Sequence, residues 1–351
     1  LSEGDVASAI VAKYTALGGT MTTADLAGYS GEWVDVATTN YHGYDVSTLP
    51  PPAQTWATDE MLNILESCVP VWAPGQTLAS LGPANPKFWH LMVEAKKLAY
   101  GDLYAYNADP KFTSVPLGRL LSEQYAASLC SRVDPERASR PTAVGRADTS
   151  GDTIVLSTAD RSGNMVAWVN SLFDSFGSGI TVPGYAITLH NRGALFSLDP
   201  KSPNVIAPGK RPFNTLSAGF VMQSGRPLMT VTLMGGDMQA QGIGQVLVNV
   251  LDLGANVQAA SDMARFRHSQ VPNVLSIESP LFRLVGARLK AMGHDVRSIS
   301  GVNVGGYQAI MFTPDANGTA GSDAGVGGFY RAGSDHRKDG QAAGFWNAAH
   351  R

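Results

Sequence analysis

The stretch Gly151-Asp152-Thr153-Ile154-Val155-Leu156-Ser157 marks the point at which the character of the chain changes. Before it, residues 131–150 are polar and charged, contain two prolines and show no apolar periodicity, which predicts an exposed loop. The run Thr153–Ala159 is β-branched and largely apolar, and a turn at 160–164 separates it from a second apolar run at 165–173. This pattern predicts a β-hairpin of two mostly buried strands.

The rest of the second half predicts further strands that are covered by helices. Two helices, Gln241–Leu253 and Leu281–Met292, are each followed by a glycine that can end them. The predicted strands are Tyr185–His190, Ala218–Gln223 and Leu228–Met234 with Ser224-Gly225 between them, Val296–Ile299, Tyr307–Thr313 and Gly328–Arg331.

Residues 1–150 are predicted to be mainly helical. The clearest helix is 87–105, where apolar residues recur at helical spacing, and a capping box at Ser2-Glu3-Gly4-Asp5 predicts another helix at the start. One strand is predicted at 41–46, stopped by the three prolines at 50–52. Because the chain opens on Leu1 in what looks like the middle of a fold, we expect a fragment or a mature piece of a longer precursor.

Composition excludes several classes of protein. The 351 residues carry a net charge of −3 with only 16% charged residues, which argues against a polybasic nucleic-acid surface. No apolar run approaches the roughly 20 residues of a membrane span. The two cysteines, Cys68 and Cys130, are predicted to be buried thiols, and the seven histidines show no ligand spacing and are predicted to be structural or exposed. The sequence implies neither a metal nor an organic cofactor, and it leaves the compartment open.

Familiar catalytic motifs are missing from the sequence. It contains no Gly-x-Ser-x-Gly elbow, His-Glu-x-x-His or P-loop, and Gly242 and Gly244 lack the third glycine of a dinucleotide-binding loop. Thr153 is the residue that stands out, because a cut before it would place a free α-amine beside its own hydroxyl. That amine, with a pKa near 8, can serve as the base that activates the hydroxyl. The alternative is an ordinary β-branched strand residue.

Two glycine-rich segments support the catalytic interpretation of Thr153. Phe176-Gly177-Ser178-Gly179 would allow a loop to pass close to the threonine. Gly235-Gly236 follows an apolar strand and precedes a helix, so two consecutive N–H groups could point at one position as an oxyanion hole requires. A tight turn is the simpler alternative for the second segment.

An ordered set of motifs resembles the γ-glutamyltransferase family of N-terminal-nucleophile (Ntn) hydrolases over nearly the whole chain. In the second half the set comprises Thr153, Asp160-Arg161-Ser162-Gly163-Asn164, Ser171, Phe176-Gly177-Ser178-Gly179, Pro208-Gly209-Lys210-Arg211-Pro212, Gly235-Gly236 and Asp335-His336-Arg337-Lys338-Asp339-Gly340. In the first half it comprises Gly18-Gly19, Asp25-Leu26, Tyr41-His42-Gly43-Tyr44, Pro50-Pro51-Pro52 and Glu94-Ala95-Lys96-Lys97-Leu98-Ala99-Tyr100.

The resemblance implies an α+β fold, a four-layer αββα sandwich that is made as a proenzyme and is here N-terminally incomplete. Residues 1–152 would be the C-terminal part of a large subunit and residues 153–351 the small subunit, intertwined in one catalytic domain. Self-cleavage between Asp152 and Thr153 would yield a heterodimer. No further macromolecular partner is implied.

The resemblance also implies roles for individual residues. Thr153 would attack a small amide substrate and form an acyl-enzyme, Ser171 would hydrogen-bond the nucleophile, and Gly235 and Gly236 would form the oxyanion hole. By position, Asn214 and Thr215 match a pair of serines that hold the substrate carboxylate.

Three positions depart from the glutamyl-specific pattern. The family grips the substrate α-amine with Asn, Gln and Asp, where this chain carries Phe173, Arg192 and Leu195. An ammonium group would be desolvated there without a partner, whereas the guanidinium of Arg192 suits an anionic acyl group. The alternative for Arg192 is a surface charge at the end of a strand. The segment Asn191-Arg192-Gly193 resembles a divergent branch of the family. The expected activity is therefore that of an amidohydrolase or acyltransferase on an amide that is not γ-glutamyl.

Two alternatives stay open at this stage. A true γ-glutamyltransferase or glutathione hydrolase would need rearranged substrate contacts. A non-catalytic scaffold, or an inactive fragment, would keep the fold without liberating the nucleophile. Ile154 and Val155, which stand where glutamyl enzymes usually have Thr and His, favour the scaffold.

Overall fold

The computed structural model of the chain describes residues 2–141, 151–314 and 327–345. Its α-helices are α1 Gly4–Ala16, α2 Thr23–Ala27, α3 Trp56–Trp72, α4 Leu78–Leu81, α5 Pro86–Tyr106, α6 Leu117–Leu120, α7 Glu123–Leu129, α8 Met238–Leu251, α9 Val257–Asp262 and α10 Ser279–Ala291. Its strands are β1 Ala37–Tyr41, β2 Tyr44–Thr48, β3 Asp152–Ala159, β4 Met165–Phe173, β5 Thr181–Val182, β6 Ile187–Thr188, β7 Ala218–Gln223, β8 Arg226–Met234, β9 Phe266–Ser269, β10 Val274–Glu278, β11 Asp295–Ile299, β12 Gly306–Pro314 and β13 Gly328–Ser334.

A six-stranded antiparallel sheet in the order β1-β2-β7-β8-β12-β13 forms the centre of the molecule. The single strand predicted at 41–46 is wrong, because His42 and Gly43 both adopt positive φ and turn the chain between β1 and β2. Such a two-residue turn matches the twist of an antiparallel hairpin. The sheet joins strands from both sides of residue 152, since β2 pairs with β7.

Helices cover one face of this sheet. Val231 and Ala309, which are paired across β8 and β12, belong to the buried core together with Ile243 and Val246 of α8. Helix α3 packs on the sheet beside α8, and α5 packs against α3. The predicted helix 87–105 is confirmed as α5, and its apolar spacing is explained by this burial.

The hairpin β3–β4 lies on the other face. Strand side chains alternate between faces, so Thr232 and Gln308 point away from the helices, and Gln308 lines a cavity together with Val155 and Ser157 of β3. Helices, sheet and hairpin thus stack in that order. The predicted hairpin is confirmed, but its predicted burial is wrong: the outer face of the hairpin is exposed, with Ile154 at 70% and Trp168 at 57% of full exposure.

A smaller sheet and several local features complete the architecture. Strand β10 pairs in parallel with β11 and antiparallel with β9, and α10 packs on this sheet. Of the strand predicted at 185–190, only β6 and its short pairing with β5 are present. The predicted N-terminal capping box is also wrong, because α1 starts after Glu3 and, among the described residues, no side chain caps the N–H groups of its first turn. The predicted loop 131–150 is described only as far as Pro141, and residues 142–150 lie outside the described part.

Cys68 and Cys130 form a disulfide that ties α3 to the turn after α7, so the prediction of two free thiols is wrong. The cysteines are 62 residues apart in the sequence, and only the packing of these two helices brings them together.

Reduction of this disulfide is expected to lower the free energy of unfolding by up to about 4 kcal/mol, because a long loop gains conformational entropy in the unfolded state. Chemical denaturation with and without a phosphine reductant measures the effect. The double variant Cys68→Ser/Cys130→Ser serves as the control and should be insensitive to the reductant. Identical curves for the oxidised and reduced chain would mean that the cysteines are unpaired.

Candidate active site

Thr153 lies near the start of β3 on the inner face of the hairpin. Its side chain is buried at 7% exposure, and its Oγ1 has no hydrogen-bond partner in the described part of the chain. A buried hydroxyl without a partner is unfavourable by about 1–3 kcal/mol, so such groups are rare unless something else needs them. The hydroxyl is thus free to meet a group that is not part of the folded chain.

Ser171 stands opposite Thr153 in the neighbouring strand. Its Oγ donates a hydrogen bond to the carbonyl oxygen of Asp152 at 2.9 Å and accepts one from the N–H of Phe173 at 2.8 Å. The register of β3 and β4 shifts between Asp152 and Thr153, so the strand is distorted at the peptide bond that joins them. In the uncleaved chain Ser171 therefore contacts the residue before the threonine.

Gly235 and Gly236 form the turn between β8 and α8, with φ of +125° and +61°. These values lie in a region that residues with a Cβ rarely adopt, which explains the two consecutive glycines. Gly151 passes directly over this turn: a Cβ added to Gly151 would lie 3.3 Å from the Cα of Gly236 and 3.0 Å from the carbonyl oxygen of Phe173. The segment that precedes Thr153 thus lies against Gly236.

Gln54, which sequence reasoning missed, anchors the same turn. Its Nε2 donates to the carbonyl oxygens of Gly236 at 2.9 Å and Thr215 at 2.7 Å, and the residue is fully buried. Gln54 lies in the short segment between the three prolines and α3, so a polar side chain between a rigid turn and an apolar helix was the available signal. Tyr100 also holds this segment, since its hydroxyl donates to the carbonyl oxygen of Asp237 at 2.7 Å.

Arg192 begins a short 3₁₀ turn at Arg192–Leu195 and is 6% exposed. Its Nη1 donates to Asn214 Oδ1 and Thr215 Oγ1, both at 3.1 Å, while its Nη2 has no partner within the described residues. No carboxylate of the described chain pairs with this guanidinium, and burial lowers its pKa to about 10. The site therefore holds a buried cation with an unused donor.

The two residues expected to hold a substrate carboxylate lie beside this cation. Asn214 and Thr215 bind and orient the guanidinium of Arg192, whose Cζ lies 5.5 Å from the ring centroid of Phe173. Phe173 and Leu195 are buried in one apolar cluster with Trp56, Tyr100 and Phe213. Two of the three departures from the glutamyl pattern, Phe173 and Leu195, thus build an apolar wall beside the third, Arg192.

These contacts bring the predicted site residues together around one place. Thr153 is paired with Ser171, and Phe173 lies beside Arg192. Gln54 connects Thr215, which binds Arg192, to the turn that carries Gly236. The contacts thus connect the Thr153 hydroxyl, the glycine turn and the Arg192 guanidinium, for which the described chain supplies no carboxylate partner.

A separate buried cluster contains His90, Glu94 and His294, which the sequence did not connect. His90 Nε2 faces the carbonyl oxygen of Asp134 at 3.0 Å and must donate to it, so His90 Nδ1 accepts from His294 Nε2 at 2.9 Å. Glu94 already binds the ammonium of Lys97 at 2.8 Å. This positive charge would oppose a divalent cation, so we interpret the cluster as a neutral structural network.

Burial lowers the pKa of both histidines, that of His294 to about 3. Between pH 6 and pH 4 the unfolded chain therefore binds protons that the folded chain does not, and stability falls as the pH falls. We expect about 1.4 kcal/mol per pH unit from His294 alone. His294→Gln, which keeps an N–H donor but does not titrate, should have a flatter pH dependence of Tm. An equal slope in the variant would contradict this assignment.

Comparison with known proteins identifies the family of the chain. Residues 2–345 match the family model described as Gamma-glutamyltranspeptidase. The chain is 31% identical over 349 residues to the glutathione hydrolase-like YwrD proenzyme of Bacillus subtilis. The aligned region covers 97% of this chain and 62% of that protein. It is also 31% identical to the acylase ACY 1 proenzyme of a Pseudomonas species, over 89% of this chain and 54% of that one.

Among solved structures, cephalosporin acylase from Bacillus halodurans superposes with a TM-score of 0.84 at 33% identity, covering 98% of this chain and 59% of that protein. The chain thus spans 54–62% of the length of these relatives. The likeness confirms the predicted Ntn-hydrolase fold. On these grounds the chain belongs to the gamma-glutamyltranspeptidase family.

Proposed function

We propose that this chain forms the catalytic core of a self-cleaving amidohydrolase or acyltransferase in which Thr153 is the nucleophile. The observation that carries the proposal is the buried hydroxyl of Thr153, which has no partner among the described residues and lies at a distorted peptide bond beside the Gly235-Gly236 turn. Membership of a family whose relatives are named proenzymes supports it.

Cleavage between Asp152 and Thr153 would create the catalytic group. Water adds across the peptide bond, so that Asp152 gains a carboxylate and Thr153 a free α-amine. With a pKa near 8, that amine can take the proton from its own hydroxyl during attack. Release of Gly151 from its place over Gly236 would open the turn to substrate.

The two products would remain together as one heterodimer. Strands β1 and β2 come from residues 1–152, and β2 is hydrogen-bonded along its length to β7 from residues 153–351. The ion pair of Arg211 with Asp109 at 2.9 Å also crosses between the two parts. Separating them would expose a sheet edge and the buried core, so cleavage should leave the fold intact.

In turnover, the Thr153 hydroxyl would attack the amide carbonyl carbon of the substrate. The N–H groups of Gly235 and Gly236 would stabilise the oxyanion that forms, and the amine would leave with the proton carried by the Thr153 α-amine. Attack of water, or of an acceptor amine, on the resulting ester would then release the acyl group. Every step uses groups of the chain and the two substrates.

The acyl group is proposed to be anionic. Arg192 offers an unused donor in a buried, apolar setting, where a carboxylate would form a charge-assisted hydrogen bond and neutralise the cation. The α-ammonium of a γ-glutamyl group would instead face the Phe173 ring and the like charge of the guanidinium, which is a less favourable environment. A dicarboxylic acid monoamide of glutaryl type fits better than glutathione.

Denaturing mass spectrometry of the purified chain tests the proposal. We expect two species, covering residues 1–152 and 153–351, that co-elute under native conditions. A single intact species would support the non-catalytic scaffold instead.

A further inference from the structure

The residue before the proposed nucleophile is held at two points. The main-chain carbonyl oxygen of Asp152 accepts a hydrogen bond from Ser171 at 2.9 Å, and the Asp152 carboxylate accepts one from the hydroxyl of Ser175. Both Asp152 and Ser175 are exposed, so packing does not demand this second contact. The proposed turnover leaves it without a role.

We infer that Ser175 is a positioning residue for self-cleavage, acting through the Asp152 carboxylate, and that it takes no part in turnover. The inference rests on the proposed function, because it assumes that the chain is cleaved before Thr153. It also gives the Asp152 side chain a role, because this is the group through which Ser175 holds the cleavage site in place.

The geometry of the strand explains why the hydrogen bond from Ser175 to Asp152 is useful. At the register shift between Asp152 and Thr153, the regular pairing with β4 does not continue through the peptide bond. A peptide released from the ladder can rotate about its flanking bonds. Hydrogen bonds from Ser171 to the carbonyl oxygen and from Ser175 to the side chain hold Asp152 from two directions and restrict that rotation.

Restricting the peptide would assist the chemistry in a definite way. Thr153 Oγ1 forms a bond to the carbonyl carbon of Asp152 while negative charge develops on the carbonyl oxygen, which Ser171 already faces. The C–N bond then breaks, the nitrogen takes the hydroxyl proton, and water hydrolyses the ester. Attack requires a carbonyl carbon held near the hydroxyl in the correct orientation, and loss of such orientation slows intramolecular reactions strongly.

After cleavage the hydrogen bond between Ser175 and Asp152 has no further role. Asp152 becomes the last residue of the first fragment, and its former carbonyl is a carboxylate that must make room for substrate. Ser171 differs from Ser175 in this respect, because it is cross-strand to Thr153 and stays beside the nucleophile. Substitution of Ser175 should therefore affect only self-cleavage, whereas substitution of Ser171 should affect both self-cleavage and turnover.

The test follows self-cleavage of the whole chain during cell-free synthesis, by mass spectrometry of timed samples, for the wild type and six variants. Ser175→Ala and Asp152→Ala should each slow cleavage about tenfold, the effect of losing a hydrogen bond to a charged group. The double variant Ser175→Ala/Asp152→Ala should be no slower than either. Asp152→Asn, whose amide oxygen still accepts, should cleave within about threefold of wild type.

Turnover by the cleaved proteins provides the second readout. Cleaved Ser175→Ala should match the wild type in kcat and KM on a glutaryl anilide, whereas Ser171→Ala should be slower in both cleavage and turnover. Ser175→Thr restores the hydroxyl and should restore the cleavage rate, which separates a lost contact from poor folding.

Each contrary outcome has a distinct meaning. Wild-type cleavage with an equally fast Ser175→Ala variant would overturn this inference and leave the proposed function standing. A cleaved Ser175→Ala protein with reduced kcat would overturn it too, by placing Ser175 in turnover. A wild-type chain that never cleaves would overturn the proposed function itself.

Discussion

Valine at position 153 is expected to abolish self-cleavage and amide hydrolysis while leaving the protein at least as stable as the wild type. Valine keeps the shape and β-branching of threonine but replaces the hydroxyl by a methyl group. Because the Thr153 hydroxyl is buried without a partner in the described structure, its removal relieves an unfavourable desolvation. Loss of the nucleophile should reduce kcat by about 10⁴-fold or more.

Intact mass, kcat and Tm of Thr153→Val, measured beside Thr153→Ser, check this prediction. Serine retains both the hydroxyl and, once the chain is cleaved, the adjacent α-amine, so it should still mature and turn over, more slowly. A strand residue with no catalytic role would give a different pattern, with both variants active and stability following the strand propensity of the new residue. A Thr153→Val chain that is cut between residues 152 and 153 would exclude the threonine mechanism.

Local pattern was sufficient for much of the fold. The β-branched run from Thr153 and the apolar run that ends at Phe173 predicted the hairpin, and regular apolar spacing predicted α5 nearly to its ends. The error lay in the burial of the hairpin. A run of apolar residues cannot say which of its two faces is covered, and Ile154 and Trp168 are exposed.

The contacts that build the site were beyond local pattern, because they join distant parts of the chain. Gln54 meets Gly236 across 182 residues, and His90 meets His294 across 204. The same is true of the disulfide. Sequence similarity could suggest a substrate-binding role for Arg192, but only the folded chain shows that Asn214 and Thr215 accept hydrogen bonds from its guanidinium.

Glutamine at position 192 is expected to change the acyl preference rather than the general activity. Three anilides with five-carbon acyl groups isolate the effect: glutaryl, which ends in a carboxylate, pentanoyl, which ends in a methyl group, and γ-glutamyl, which adds an α-ammonium to the glutaryl group. The wild type should prefer glutaryl over pentanoyl by about 100-fold in kcat/KM, the value of a charge-assisted contact made in a buried site. It should prefer glutaryl over γ-glutamyl as well, since the ammonium would lie against Phe173 and a like charge.

Arg192→Gln should lose about 100-fold on glutaryl anilide and little on pentanoyl anilide, so the ratio between them approaches one. Its stability should be unchanged or higher, because the variant removes a buried cation that no carboxylate of the described chain neutralises. Arg211→Gln is the matched control. Arg211 pairs with Asp109, whose pKa it lowers to about 2, so its loss should reduce stability without altering acyl preference.

The combination of the two variants distinguishes a substrate-binding arginine from a structural one. If Arg192 served only to hold Asn214 and Thr215, its replacement would lower Tm and slow all three anilides alike, as loss of a buried structural contact does. A stable variant with selective loss of the glutaryl substrate requires that the guanidinium meets the acyl carboxylate. Faster turnover of γ-glutamyl than glutaryl anilide by the wild type would assign the chain to true γ-glutamyl transfer, because the α-ammonium would then have an acceptor in the pocket.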